Sequence, residues 1–160
     1  MPSKKKYRAN VGAVILNKKG FIWIGKRSDI KNSSEWQMPQ GGIDKNENPE
    51  KAVFREVYEE TGIKSIKIID KINTWIKYEI PKHIAKNKWN GEYIGQKQKW
   101  FLLYFYGNEK EININLSNKK EFKSWKWDKD TNIANNVPKF RKNVYKKVFN
   151  YFSTKIDEFT

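Results

Sequence analysis

Residues 41–63 read GGIDKNENPEKAVFREVYEETGI and gather five glutamates around one arginine, in a chain of 160 residues whose formal net charge is +15. The stretch spells a helix. Asn48 supplies an oxygen for the unpaired N–H groups of a first turn, and Pro49 fits the first helical position, where its missing donor costs nothing. Gly62 closes the helix, because glycine readily takes the left-handed backbone found at helix ends. The helix is therefore predicted over Pro49–Thr61. With about 3.6 residues per turn, Glu56, Glu59 and Glu60 share one face, while Phe54, Val57, Tyr58 and Thr61 fall roughly opposite. The expectation is one face for the core and one for charge. Three crowded carboxylates repel one another, and a divalent cation removes the conflict. An all-oxygen ligand set suits a hard ion, magnesium or manganese, better than zinc. The helix alone leaves open a solvated acidic face with an ordinary Arg55–Glu59 pair.

Composition bounds the setting. Hydrophobic residues make up 38% of the chain and include seven tryptophans, enough for one domain with a real core. One domain is expected over residues 1–160, with 1–6 a flexible basic N-terminus. No apolar run approaches the roughly 20 residues that span a bilayer, and no signal-peptide pattern follows Met1. A soluble, cytoplasmic protein with no membrane partner is the expectation. The absence of cysteine excludes disulfides, thiolate chemistry and cysteine-based zinc sites. Lysine supplies 29 of the 33 basic residues, and 17 asparagines accompany them, a bias that codon drift would produce. Much of the charge is then solvated decoration, yet a charge of this size draws in polyanions such as nucleotides or RNA. Arg8, Arg27, Arg55 and Arg141 stand out against the lysines, because a guanidinium meets phosphate or carboxylate with two parallel donors.

The rest of the chain reads as an α/β mixture. Residues 11–16 and 21–26 form apolar strands joined by the turn Asn17-Lys18-Lys19-Gly20, a hairpin. Residues 72–80, 99–106 and 122–127 read as further strands, and 81–98 as a long polar loop. Val144, Tyr145, Val148, Phe149 and Phe152 keep helical spacing, so a C-terminal amphipathic helix is expected to cover the sheet. Trp36, Trp100, Trp125 and Trp127 are assigned to the core. Three weaker signals carry no function. Gly20 to Lys26 imitates a phosphate-binding loop but lacks its Ser or Thr and runs through an apolar strand. His83 is the sole histidine, and the Asn-x-Ser triplets at Asn32 and Asn115 have no secretory signal to give them meaning.

Spacing decides what composition leaves open. Gly41, five residues, Glu47, seven residues, then Arg55-Glu56-Val57-Tyr58-Glu59-Glu60-Thr61-Gly62-Ile63 meets every defined position of the Nudix box, G-x5-E-x7-R-E-U-x-E-E-x-G-U with U apolar. Seven fixed residues, each at roughly one in fifteen, coincide by chance less than about once in ten million starting points. The chain thus resembles Nudix hydrolases, and the resemblance implies an α/β/α sandwich with a mixed central sheet. YRANVGAVILN, WQMPQGGI, GQKQKWFLLYF, EFKSWKW and FRKNVYKKV extend it toward the bacterial RNA pyrophosphohydrolase branch, which also hydrolyses dinucleoside polyphosphates.

That resemblance implies a metal-dependent pyrophosphohydrolase that removes pyrophosphate from 5′-triphosphorylated RNA by water attack on phosphorus, initiating mRNA decay. Hydrolysis of free dinucleoside polyphosphates is the alternative, and a non-catalytic RNA-binding Nudix module a more distant one. It implies that Glu56, Glu59 and Glu60, with Glu121 off the helix, hold two or more magnesium or manganese ions, and that Glu56 or Glu121 takes the proton. Gly41, Glu47, Arg55 and Gly62 are then structural. Arg8, Arg27 and Lys97 match phosphate contacts, Tyr78 a substrate-holding tyrosine, and Phe140 and Arg141 the segment that cradles a base. A monomer acting on 5′-phosphorylated RNA or a dinucleoside polyphosphate completes the expectation.

Overall fold

The computed structural model describes residues 6–28, 35–137 and 139–159. Of the expected flexible arm 1–6, all but Lys6 lies outside the described residues, as does Asn32. The hairpin forms as anticipated from β1 (Tyr7–Leu16) and β2 (Ile22–Arg27), with Leu16 opposite Ile22. Its turn is set by the Asn17 side chain, whose Oδ1 accepts from the N–H groups of Lys19 and Phe21 at 3.0 Å each. Two short strands follow, β3 (Trp36–Gln37) and β4 (Gln40–Gly42), then α1 (Pro49–Thr61), β5 (Ile66–Lys71), β6 (Ile76–Glu79), α2 (Lys82–Trp89) and β7 (Gly95–Phe105). A 3-10 turn at Glu109–Glu111 leads to β8 (Phe122–Asp128), α3 (Asp130–Asn135) and α4 (Lys139–Asp157).

The strands make one mixed sheet in the order β3-β2-β1-β7-β5, with β4 on β1, β6 on β7 and β8 on β2. β1 and β7 run parallel from Tyr7 opposite Gly95 to Leu16 opposite Tyr104, and the other pairings are antiparallel. Alternation along these two central strands divides the core. Val14, Leu16, Trp100 and Leu102 pack under Val144, Tyr145, Val148 and Phe152 of α4. Val11, Ala13, Ile15, Phe101 and Leu103 pack under Ala52, Val53 and Val57 of α1. The result is the expected α/β/α sandwich.

Several local expectations are corrected. The stretch 81–98 is not a long loop: α2 occupies its first half, and β7 begins at Gly95. α2 escapes pattern reading because Ala85 is its one fully buried side chain among those described. The polar start of β7 pairs with two neighbours, and its amides bond to one another, as set out below. Residues 66–71, unassigned by pattern, form β5, and the strand expected over 72–80 is confined to β6. Trp100 is fully buried, and so is Trp23, whereas Trp36, Trp125 and Trp127 are only partly covered. His83 is exposed, on α2 rather than in a loop.

Candidate active site

α1 starts and stops where its caps dictate. Asn48 Oδ1 accepts from the Lys51 N–H at 2.8 Å, and Gly62, at φ 75°, returns its N–H to the Tyr58 carbonyl. The division of its faces differs from the wheel reading. Ala52, Val53, Val57, Glu60 and Thr61 are buried, while Phe54 and Tyr58 are 38% and 40% exposed. Charge therefore does not sit opposite the core: Glu60 lies beside Val53 and Val57 on the side that meets the sheet. The helix wheel already places 53, 57 and 60 together, and the aromatic rings of Phe54 and Tyr58 misled the assignment.

β4 is the strand this edge of α1 faces. A side chain at Gly41 would run into the Glu56 carboxyl, and one at Gly42 into the Arg8 guanidinium, so both glycines are fixed by close approach. Burial raises the pKa of Glu56, with Arg55 opposing and the Glu59 and Glu121 charges adding to the rise. Glu60 goes further. Its Oε2 is buried without a hydrogen-bond donor. Burial first, then the charges of Glu121 and Glu56, hold its pKa well above the usual carboxylate range, with the Gln40 backbone N–H opposing. Two neighbouring carboxyls with one buried oxygen left without a donor favour a proton or a cation between them.

The outer edge of α1 is satisfied throughout. Arg55 donates from Nε to Glu47 Oε2 and from Nη2 to Glu47 Oε1, both at 2.8 Å, and from Nη2 to the Gly42 carbonyl at 2.9 Å. Its Nη1 reaches Glu56 Oε1 at 2.9 Å and Glu59 Oε2 at 3.3 Å. Glu47 also accepts the Asp44 N–H at 3.0 Å. The Arg55 hydrogen bonds, foremost, draw the Glu47 pKa down to about 2. One guanidinium thus ties the loop before the helix to the carboxylates on it.

Across the cleft stands Glu121, just before β8. It is placed by the Ser28 N–H, which donates to its carbonyl at 3.0 Å where the β2–β8 register shifts. Arg8, Asn10, Gln40, Glu56, Glu59, Glu60, Gln96, Ser117, Lys119 and Glu121, with both glycines, enclose a space of about 390 Å³. A larger cavity of about 600 Å³ lies at the other end of β1 and β7, but its single carboxylate, Glu109, is engaged by the Trp127 Nε1–H. Chemistry, not size, selects the carboxylate cleft. Among the described residues no three acidic side chains are already gathered into a coordination shell. The four glutamates share the wall, and Arg55 holds two of them. The orphaned Glu60 Oε2 and the all-oxygen donor set fit a hard divalent ion.

A second cluster adjoins the first. Tyr78 donates to Gln96 Oε1 at 2.6 Å, Gln98 Nε2 donates to Gln96 Oε1 and Gln40 Oε1, and Trp100 Nε1–H closes the chain on Gln98 Oε1 at 3.0 Å. Tyr78 stacks on Phe140 at 6.0 Å and 20°, and the Arg141 guanidinium lies 5.5 Å from the Phe140 ring. Arg141 is buried with Nε unpartnered. Burial raises the Tyr78 pKa, against the nearby charges of Arg141 and Arg27. The chain of amides joins this aromatic and cationic pair to the cleft through Gln40 and Gln96. Gln40, Gln96, Gln98, Asn10 and Lys119 went unrecognised from sequence. The alternation in Gly95-Gln-Lys-Gln-Lys-Trp100 was the available signal, with amides on one face and lysines on the other. Lys97 accordingly lies away from the cleft, its Nζ 4.7 Å from the Trp75 ring.

Comparison with known proteins identifies the family and the fold. A family profile described as the NUDIX domain matches residues 6–148. The chain belongs to the Nudix family. It is 48% identical over 153 residues to an RNA pyrophosphohydrolase of Wolbachia sp. subsp. Brugia malayi (strain TRS), covering 96% of this chain and 94% of that one. With an RNA pyrophosphohydrolase of Bartonella tribocorum it shares 42% over 155 residues, covering 91% and 90%. Solved Nudix-type structures share the fold at low identity. The E. coli dihydroneopterin triphosphate pyrophosphohydrolase has a TM-score of 0.70 at 20% identity, covering 91% of this chain and 97% of that one. A C. elegans Ap4A hydrolase binary complex has a TM-score of 0.62 at 17%, covering 91% and 98%.

Proposed function

We propose that this Nudix chain, acting as a monomeric single domain in the cytoplasm, removes pyrophosphate from 5′-triphosphorylated RNA and so initiates mRNA decay. The observation that carries the proposal is buried Glu60, with its orphaned oxygen, beside half-buried Glu56, facing a cleft that Arg8 also lines. The RNA substrate is supported by the similarity to proteins named RNA pyrophosphohydrolases.

Glu56, Glu59, Glu60 and Glu121 would hold two or more magnesium or manganese ions. Bound there, the ions supply charge to polarise phosphate oxygens and offset the negative charge of the leaving pyrophosphate. Arg8, beside Gly42, meets the phosphate chain with two parallel donors. Water adds to phosphorus, the bond to the bridging oxygen breaks, and the RNA keeps a 5′-monophosphate. Glu56, whose burial favours the protonated form, accepts the proton from water; Glu121 across the cleft is the other base within the site. Glu47 and Arg55 hold Glu56 in place. Tyr78 and Phe140 offer ring faces to the first base, and Arg27 and Arg141 add charge beside them.

The test is kcat/KM for 5′-triphosphorylated RNA, 5′-diphosphorylated RNA and diadenosine tetraphosphate, side by side with magnesium. The triphosphorylated RNA is expected to lead. Inert RNAs beside a fast dinucleotide would replace this reading with dinucleoside polyphosphate hydrolysis.

A further inference from the structure

The face of the sheet turned away from the amide chain carries a feature that the hydrolytic cleft does not use. β6 is an edge strand on β7, and Lys77 stands directly opposite Lys97, with Lys99 two residues further along the same face. Like charges in direct cross-strand register destabilise a sheet. Among the described residues none of these three lysines forms an ion pair. Each lies over an aromatic ring instead: Lys97 and Lys99 are 4.7 Å and 4.9 Å from the centre of Trp75, and Lys77 is 5.3 Å from that of Tyr7. The acids at the border have their closest contacts elsewhere. Glu50 takes Lys71 at 2.9 Å, with the Lys99 charge also lowering its pKa, and Glu79 accepts from the Tyr7 hydroxyl at 3.5 Å. The sequence thus holds three ammonium groups together at a cost to the sheet, braced on rings, with Glu50 shared between Lys71 and the charge of Lys99.

We propose that Lys77, Lys97 and Lys99, braced by Trp75 and Tyr7, bind the sugar–phosphate backbone of single-stranded RNA beyond its 5′ end. Ammonium groups interleaved with aromatic rings suit a flexible polyanion, whose phosphates supply the counter-charge and whose entry releases small ions. The topology favours a substrate that passes from one face to the other. Tyr78, beside the cleft, and Lys77, on the basic face, are consecutive residues of the edge strand, so a chain seated on Tyr78 and Phe140 rounds that edge onto the lysines. The inference rests on the RNA reading of the cleft for its biological use, but its binding can be measured without the cleft.

The experiment uses the full chain and a 5′-hydroxyl single-stranded RNA of about 16 nucleotides, within common single-strand site sizes, followed by fluorescence anisotropy over a salt series. Lys77→Ala/Lys99→Ala is expected to weaken binding about tenfold and to reduce the slope of log K against log salt by roughly 1.4, two contacts at about 0.7 each. Lys146→Ala/Lys147→Ala, the same charge change on the exposed side of α4, should leave both unchanged. In hydrolysis, the first variant should raise KM for a triphosphorylated RNA of that length by a similar factor at constant kcat, and leave a triphosphorylated dinucleotide unaffected. Unchanged binding, an equal loss in the α4 control, or an equal loss on the dinucleotide would overturn the proposal. If anisotropy responds as expected while no triphosphorylated RNA is hydrolysed, the surface stands and the proposed activity falls. If hydrolysis proceeds and anisotropy does not respond, the reverse holds.

Discussion

The two edges of α1 meet the same residue type in opposite electrostatic states, one in the loop that precedes the helix and one on the helix itself. On the outer edge Glu47 receives two donors from Arg55 and one from the Asp44 backbone, and its pKa falls to about 2. On the inner edge Glu60 keeps an oxygen with no donor, and burial beside Glu56 and Glu121 drives its pKa the other way. Arg55 borders both, giving Glu47 two bonds and Glu56 one. A carboxylate whose lone pairs are filled by protein donors stays ionised; one buried short of donors is driven toward its protonated form. The contrast falls between the loop that enters a helix of 13 residues and the inner edge of the helix itself.

The largest expected effect lies on the inner edge. Glu56→Gln keeps the shape and removes the charge, and kcat for triphosphorylated RNA should fall on the order of 10³-fold, with the unfolding temperature unchanged. Near wild-type turnover would remove Glu56 from the chemistry and reduce the inner edge to packing. Glu60→Gln comes next and is read in stability. Without metal, the variant should be more stable than wild type by about 1 kcal/mol at neutral pH, because it no longer buries a carboxylate that lacks donors. The sign follows from linkage. A raised folded-state pKa means that the folded protein binds the extra proton, so wild-type stability falls as pH rises above the ordinary glutamate value of 4.5 toward the raised one. The variant's advantage should therefore grow with pH. Magnesium should reverse the order, since wild type gains about 2.7 kcal/mol at a hundred times Kd and the variant gains less. Thermal unfolding with chelator and with magnesium measures both. A Glu60→Gln protein weaker than wild type under both conditions would show that the buried carboxyl is already satisfied.

What the sequence revealed follows the same division. The caps of α1 were legible because Asn48-Pro49 and Gly62 act locally, Arg55 and the three glutamates because their spacing is fixed by one helix, and Glu47 because the box spacing ties it to them. The apolar strands were legible because β1, β2 and β7 pack on two layers of core. Three features depended on tertiary partners and were not legible. α2 buries little more than Ala85 among its described side chains, too little to mark a helical period. The polar start of β7 is a strand because Gln96, Gln98, Gln40 and Tyr78 satisfy one another, and these contacts join residues as far apart as 58 positions. Glu60 falls on a charged face opposite the core when Phe54 and Tyr58 are counted as core, whereas only the approach of Gly41 and Gln40 shows what the helix leans on. Lys97 went with the phosphate contacts because lysine is the expected charge there; strand alternation puts it on the other face.

The smaller of the two expected effects on turnover lies on the outer edge, and its pH dependence is what distinguishes the edges. Glu47→Gln leaves one amide oxygen for Arg55 and removes the charge, so Arg55 loses its paired carboxylate while keeping the Gly42 carbonyl and Glu56. Activity should fall by about ten- to a hundredfold, the range expected when a group that orients a ligand is lost, and magnesium should still stabilise the protein. The stability change should follow the lowered pKa. The folded protein holds Glu47 ionised down to about pH 2, whereas an ordinary glutamate titrates at 4.5. The stabilisation from the pair is therefore complete above that ordinary value and is lost as pH falls through about 2. The gap between wild type and Glu47→Gln should be constant near neutrality, narrow below pH 4.5 and close near pH 2, the opposite slope to that of Glu60→Gln. Denaturant unfolding across this range, at constant ionic strength, measures it. A gap that persists unchanged at low pH would mean that Glu47 acts through the shape of its hydrogen bonds and not its charge, and the electrostatic contrast between the two edges would then rest on Glu60 and Glu56 alone.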